Sequence, residues 1–422
     1  MMTDISPAQT IALAKIRHIE ELERLDSCIA FVEKIGQLIH QLQIERGASC
    51  LFIASGGQRF SAERAEIVAQ NQAIETDFRA ALQQHLDRNS RADAKQLTLI
   101  SWILLGLDQL TTLRHQITLL NISFADSIES FNRLIGSLIA LIFEITDSSV
   151  NSKISTCLLT LYNLIQGKEF AGQERAVGAY LFGSGSLQLP HQQKLFELIA
   201  QQERHFELVC QFGSKELCEA WQQWQASAWQ QQHAQYRAKL TSARDQQALT
   251  PSHADLWFDL CSRRLSEMWQ IQCQLVDTMH QLLAGLTRQA KQDYEQTRQY
   301  LQTIQASPQA NLNSTFFNLA IPVENALNFQ AHDTSQTYPM ASMIALLQHQ
   351  SRQIADMETE LSDTKKALTE RKLIERAKGL LMSTLGVTEM EAYKTLRSTA
   401  MEQNRKVIDI AENILASHRQ PG

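Results

Sequence analysis

Proline is scarce and unevenly spread: seven residues, at 7, 190, 251, 308, 322, 339 and 421, leave Ala8 to Leu189 uninterrupted. A stretch that long without a helix breaker, rich in Leu, Ala, Gln and Glu, reads as a series of long helices. Cysteine is equally sparing. Cys28, Cys50, Cys157, Cys210, Cys218, Cys261 and Cys273 are odd in number and include no C-x-x-C, which points to reduced thiols in a cytoplasm. The longest apolar run, Leu134 to Phe143, is far shorter than the roughly 18 residues of a spanning helix. The N-terminus shows no charged-then-apolar signal pattern, so a cytoplasmic protein without a membrane partner is expected. Catalytic patterns are missing too. There is no G-x-x-x-x-G-K-[ST] phosphate loop, no H-E-x-x-H and no G-x-S-x-G, and no Glu stands three residues before any of the 12 histidines. Neither an enzyme nor a cofactor or metal site is expected.

What is present is helical periodicity. Phe31, Ile35, Leu38, Leu42 and Cys50 fall along one stripe, as do Met268, Ile271, Leu275, Met279 and Leu282. No segment alternates as a strand does. The expected fold is all-α: a large body (1–305) of two packed antiparallel bundles, with joints at Gly56-Gly57, near Arg88-Asn89-Ser90 and at Gly183-Ser-Gly-Ser186. Pro251-Ser-His-Ala254 opens one more long helix, running to about Gln305. Trp257, Phe258 and Trp269 on it are expected in the bundle core. Residues 306–340, with Pro308, Pro322, Pro339 and many Asn, Ser and Thr, read as a linker. A connecting helix is expected over 341–372, where Leu347, Ile354, Leu361 and Leu368 recur every seven residues. Gln350, Thr364 and Arg371 spoil the second core position, so a weak coiled coil and a single helix lying on the body fit equally.

Charge separates the two ends of the chain. Ser362 to Gly422 holds 11 Lys and Arg against 8 Asp and Glu, a net of +3, while the whole chain is −6, so the remainder carries −9. Three short helices fit this basic module. Ile374, Ala377 and Leu381 point inward on the first, which ends near Gly386. Thr388-Glu-Met-Glu391 is a capping-box pattern for the second, whose Ala392, Leu396 and Ala400 make a narrow apolar face. Val407, Ile408, Ala411 and Ile414 line the third, which starts near Asn404. Arg376, Lys378, Lys394, Arg397, Arg405 and Lys406 are left to face outward, and a solvated surface would account for them as well as a polyanion would. The runs Ile-Glu-Arg-Ala-Lys-Gly-Leu-Leu-Met (374–382), Thr-Glu-Met-Glu-Ala-Tyr-x-x-Leu-Arg (388–397) and Ala-Met-x-x-Asn-Arg-Lys (400–406) closely resemble the ANTAR RNA-binding domain of transcription antiterminators. The resemblance covers nearly the whole of 362–422. It implies binding of those six cations to paired hairpins in a leader RNA, which keeps a terminator from forming.

In the body, Glu45-Arg-Gly-Ala-Ser49 is echoed by Gly172-Gln-Glu-Arg175-Ala-Val-Gly178. Arg46 follows Leu42 by four and precedes Ile53 on a stripe that belongs to the core, and Arg175 stands between Ala171 and Phe182 in the same way. Arginine does not lose its proton, so each buried guanidinium needs a partner. An internal bridge to Glu45 or Glu174, or to another carboxylate, is the plain solution. A shared small anion is the other: two like charges repel unless one lies between them, and a guanidinium fork suits a planar oxyanion. These segments resemble the NIT domain over roughly residues 30 to 300. The resemblance implies that Arg46 and Arg175 hold nitrate or nitrite, with Gly47, Ser49 and Gly178 lining the site.

The combined expectation is a one-component antitermination regulator that senses nitrate or nitrite and acts on leader RNA, in the service of nitrate assimilation. Its partners are then leader RNA hairpins and nitrate or nitrite, with a homodimer left open. Whether the acidic body masks the basic tail at rest is left open. A DNA-binding regulator, with 388–415 as a helix-turn-helix, and a purely structural protein are the alternatives.

Overall fold

A computed structural model of the chain describes residues 6–88, 94–147, 151–306 and 370–417, the last without 371, 372, 375, 383, 386, 388 and 404. Nine helices are described before residue 307. They are α1 (Pro7–Ala54), α2 (Ser61–Arg88), α3 (Ala94–Thr118), α4 (Phe124–Asp147), α5 (Ser152–Gly183), α6 (Leu189–Phe212), α7 (Lys215–Gln225), α8 (Ala228–Thr241) and α9 (His253–Ala306). The all-α architecture expected from the periodicity is what the chain adopts.

Local chemistry sets the helix ends. Ser6 and Gln9 cap α1 reciprocally, with Pro7 in the first turn where its missing N–H costs nothing. The helix stops at Gly56 and Gly57, whose φ values of 62° and 82° suit glycine. Asn151 caps α5, and Gly185 (φ 72°) turns the chain beyond its C-terminus. The joints expected at Gly56-Gly57 and after Gly183 are therefore real, α2 does end at Arg88, and α9 starts two residues after Pro251. The break between α3 and α4 contains neither Gly nor Pro and escapes a search for them. Its signal is a cap: the Ser123 hydroxyl accepts from the Asp126 amide (3.1 Å), in an S-x-x-D pattern.

Two bundles share the long helices. One core is built from α1, α2, α3 and α4 with the first half of α5 and the later part of α9, and holds Ile35, Leu38, Ile39, Leu42, Ile135, Leu138 and Met279. The other side joins the second half of α5 and the start of α9 to α6, α7 and α8 through Leu181, Phe182, Leu195, Phe206, Trp221, Trp257 and Met268. Each fully buried aliphatic side chain contributes about 1.5–3 kcal/mol. Arg46 and Arg175 lie in the α1–α5–α9 seam where these cores meet.

The tail is a separate small cluster. Helical residues 376–382, α10 (Glu389–Glu402) and α11 (Val407–Ser417) bury Ala377, Leu396, Ala400, Ile410 and Ala411 around one point, with Ile374, Leu381, Val407 and Ile414 packed against them. Ala392 is fully buried as its spacing requires. Linker residues 307–340, the heptads of 341–369, Gly386, Thr388 and Asn404 lie outside the described residues. No helix among the described residues is long and apolar enough to cross a membrane.

Candidate functional site

Arg46 sits near the end of α1 at 1% exposure and Arg175 on α5 at 5%. Each guanidinium reaches over a glycine on the opposite helix. A Cβ on Gly172 would lie 2.7 Å from Arg46 Nη2, and a Cβ on Gly47 would collide with Arg175 Nη2. These glycines are required by the guanidiniums, which occupy the volume a side chain would take.

The two arginines have different surroundings. Arg46 donates from Nη1 to Glu169 Oε1 (2.5 Å) and Asn132 Oδ1 (2.5 Å), and from Nη2 to Glu169 Oε2 (3.2 Å). Arg175 donates only to neutral oxygens, Ser262 Oγ (3.0 Å) and the Gln43 carbonyl (3.1 Å), and lies 4.6 Å from the Phe258 ring centroid. Its Nε is buried with no hydrogen-bond partner. Burial, and then the neighbouring Arg46, pull the Arg175 pKa down to about 10. Arg264 Nε is likewise buried without a partner, but Arg264 has Glu174 at 3.5 Å, whereas Arg175 has no carboxylate within ion-pair distance among the described residues.

Neither glutamate of the two Glu-Arg pairs answers its own arginine. Glu45 points the other way, taking Arg114 Nε (2.8 Å), Arg114 Nη2 (2.7 Å) and Asn71 Nδ2 (2.7 Å) within its own bundle. Glu174 takes Arg237 through two bonds of 2.7 Å and Gln202 at 2.7 Å, with Arg264 at 3.5 Å. Burial pushes the Glu174 carboxyl up, but Arg237, Arg264 and His233 together hold it at about 2. Adjacent residues on a helix diverge by about 100°, so a buried Glu-Arg pair must serve two different neighbours. For Arg46 the internal bridge goes to another carboxylate, Glu169, while Glu174 does not answer Arg175, whose partners are neutral.

Two of the expected lining residues are elsewhere. The Ser49 hydroxyl accepts from Arg64 Nε (3.3 Å), on the side of α1 that faces α2. Gly178 makes room for Trp257, whose indole N–H donates to the Arg175 carbonyl (3.0 Å). Of the five residues expected at the anion site, the structure brings together Arg46, Gly47 and Arg175. It adds Glu169, Asn132, Gln43, Ser262 and Phe258, which no local motif marks. For Glu169 the available signal was a charged Lys-Glu pair at 168–169, on the helix that carries Arg175. Lys168 is itself fully buried, donating to Gln272 Oε1 (3.1 Å), 4.7 Å from the Trp269 ring centroid. His40 stacks on the same indole at 4.3 Å. Burial draws Lys168 down to about 7 and His40 to about 2. Trp257 is core as expected, whereas Phe258 and Trp269 carry cations on their faces.

In the tail, Arg376, Lys394, Arg397, Arg405 and Lys406 are exposed, as an RNA surface needs. Lys378 is not: it is 7% exposed, against the outward position its charge suggested. It follows Ala377, the innermost residue of its helix, which turns it partly into the packed side. The ring of Tyr393 on α10 lies 4.2 Å from the Arg204 guanidinium of α6, so the tail touches the sensor body. That contact is a cation on an aromatic face, not the pairing of acidic body with basic tail that net charge suggested.

A helical body with a guanidinium pair in its core and a compact three-helix unit with exposed cations are the two parts that the comparisons with known proteins identify. A family model for nitrate and nitrite sensing (NIT) matches residues 37–280, and an ANTAR-domain model matches residues 362–415. The chain belongs to the NIT family. The ANTAR match makes the tail an RNA-binding module and sets aside the helix-turn-helix alternative. Over 402 residues the chain is 28% identical to the nitrate regulatory protein of Klebsiella oxytoca, across 94% of this chain and 91% of that one. The solved structure of the NasR transcription antiterminator is similar with a TM-score of 0.60 at 25% identity, covering 96% of this chain and 98% of that one. A stretch of 70 residues is 37% identical to the transcriptional regulatory protein PdtaR of Mycobacterium tuberculosis, spanning 17% of this chain and 34% of that protein.

Proposed function

We propose that this chain binds nitrate or nitrite between Arg46 and Arg175 and, in response, engages hairpins of a leader RNA through its ANTAR domain so that a terminator does not form. The observation that carries the ligand reading is the inequality of the two arginines. Arg46 has a carboxylate, Arg175 has none within ion-pair distance among the described residues, and the Nε of Arg175 is buried and unanswered. A small planar oxyanion supplies both the missing charge and acceptors for a guanidinium edge. For the anion to act as a switch it must prefer one packing of the α1–α5–α9 seam; a tenfold preference corresponds to about 1.4 kcal/mol. The contact of Arg204 with Tyr393 supports a resting state in which the body holds the tail.

The test has two readouts. Titration calorimetry with nitrate on the wild type and on Arg46→Ala reads the site: heats unchanged by the substitution remove the sensor reading. Leader-RNA binding by the full chain, with and without nitrate, reads the output, and equal affinity in both conditions removes the coupling. The ANTAR match and the five exposed cations support a phosphate-led contact, so binding should weaken steeply with salt.

A further inference from the structure

The charge inside the arginine seam is not simply that of two cations. Glu169 lies on α5 six residues before Arg175 and is 4% exposed. Its carboxylate forks onto Arg46 with both oxygens, and it also accepts from Gln43 Nε2 (2.8 Å) and Gln173 Nε2 (2.9 Å). Four donors hold that carboxylate in one orientation.

We infer that Glu169 sets the charge of the ligand this site accepts, making it a receptor for a singly charged oxyanion in preference to a doubly charged one. The inference rests on the reading that the anion binds between Arg46 and Arg175. Two guanidiniums and one carboxylate leave a single uncompensated positive charge. A monoanion neutralises it. A dianion of similar size and trigonal or tetrahedral oxygens leaves one buried negative charge without a partner, which a low-dielectric interior penalises heavily. Other groups near the seam do not alter the count. The thiols of Cys50 and Cys261 are pushed up by burial and stay neutral. His40 is neutral for the same reason. Glu45 is occupied by Arg114 of its own bundle, and the two charges of Arg237 and Arg264 are met by Glu174 together with the nearby carboxylate of Glu203. Lys168 is the one group that could add charge, and its ammonium lies on the Trp269 side of the seam, bonded to Gln272.

The experiment is competition calorimetry on the full chain between nitrate and sulfate at constant ionic strength. It is run at about pH 8, where Lys168, drawn down to about 7, is mostly neutral. Wild type is expected to bind nitrate and to resist displacement by sulfate in excess. In Glu169→Gln, which keeps the shape and removes the charge, the nitrate-over-sulfate preference should fall at least about tenfold, since a unit charge is removed within a few ångströms of the ligand. Glu169→Asp, which keeps the charge, should retain the preference. The inference is overturned if sulfate competes with nitrate in wild type as well as nitrate itself does, if Glu169→Gln keeps the wild-type preference while circular dichroism shows it folded, or if Glu169→Asp loses it. Arg175→Ala separates the two levels. Nitrate binding that survives in Arg175→Ala disposes of the site itself. Binding lost in Arg175→Ala together with an unchanged preference in Glu169→Gln disposes of the role of Glu169 alone.

Discussion

Arg46 of α1 lies over Gly172 of α5, with Nη2 only 2.7 Å from the place a Cβ would take there, and Arg175 of α5 returns the relationship over Gly47 of α1. The exchange is reciprocal, so either glycine controls the position of the other helix's guanidinium. Gly47→Ala and Gly172→Ala should each displace the facing arginine. The expected cost is about 1–3 kcal/mol of stability for an overpacked core, with nitrate affinity reduced at least about tenfold because an oriented two-bond contact is lost. Calorimetry and urea unfolding of the same preparations check both. A variant that binds nitrate normally would show that the guanidinium positions do not matter.

Removing the two arginines should have unequal consequences for stability. Arg46→Ala strands the buried carboxylate of Glu169, which has no other cation within ion-pair distance among the described residues; breaking such a pair costs about 3–5 kcal/mol. Arg175→Ala removes a cation that burial and Arg46 already disfavour, so its cost should be smaller. Chemical denaturation without nitrate measures the difference. Equal losses would mean that Glu169 finds other compensation.

The buried Lys168 gives stability an alkaline signature. Its pKa is drawn from the model-peptide value of 10.5 to about 7 by burial. Between those values the unfolded chain holds a proton that the folded chain does not, so this residue makes stability rise with pH from about 7 to about 10.5; below about 7 the full penalty applies. Lys168→Met should flatten that slope relative to wild type. Parallel curves of unfolding free energy against pH for the two proteins would contradict the assignment.

The contact of Arg204 with Tyr393 is the described point at which the body meets the tail through an aromatic ring. Arg204→Ala should loosen it by about 0.5–1 kcal/mol, the usual worth of a solvent-accessible cation on an aromatic face, both groups here being half-buried. In the absence of nitrate, leader-RNA binding should therefore strengthen by roughly two- to fivefold. Filter binding or fluorescence anisotropy with full-length protein reads this directly, and unaltered affinity would mean that the contact holds nothing back.

Much of the fold was legible because helices announce themselves locally. The stripe through Phe31, Ile35, Leu38 and Leu42 is buried throughout, and Ala377, Leu396, Ala400 and Ala411 of the tail cluster as expected, with Ile410 in the cluster where Ile408 was expected. Gly56 and Gly57 ended α1 because few other residues tolerate their φ. The turn before α4 was harder to see because its signal is a serine cap, weaker and commoner than a glycine. The burial of both arginines, and the small residue that Arg175 needs at Gly47, were legible from a repeated Glu-Arg setting among small residues. Ser49 and Gly178, chosen for the same proximity, were misplaced because neighbours in sequence point around a helix in different directions, one to Arg64 and the other to Trp257.

By itself, then, the sequence determined that this is a helical protein with two buried arginines and a basic three-helix end. Period, caps and charge are properties of a chain read a few residues at a time. Only the tertiary structure decided who answers each buried charge. Glu169 stands 123 residues from Arg46, and Gln43 and Ser262 stand 132 and 87 residues from Arg175. A buried ion is satisfied by whatever the packed helices bring within about 3 Å of it, and that depends on which helices cross, at what height and in what rotation.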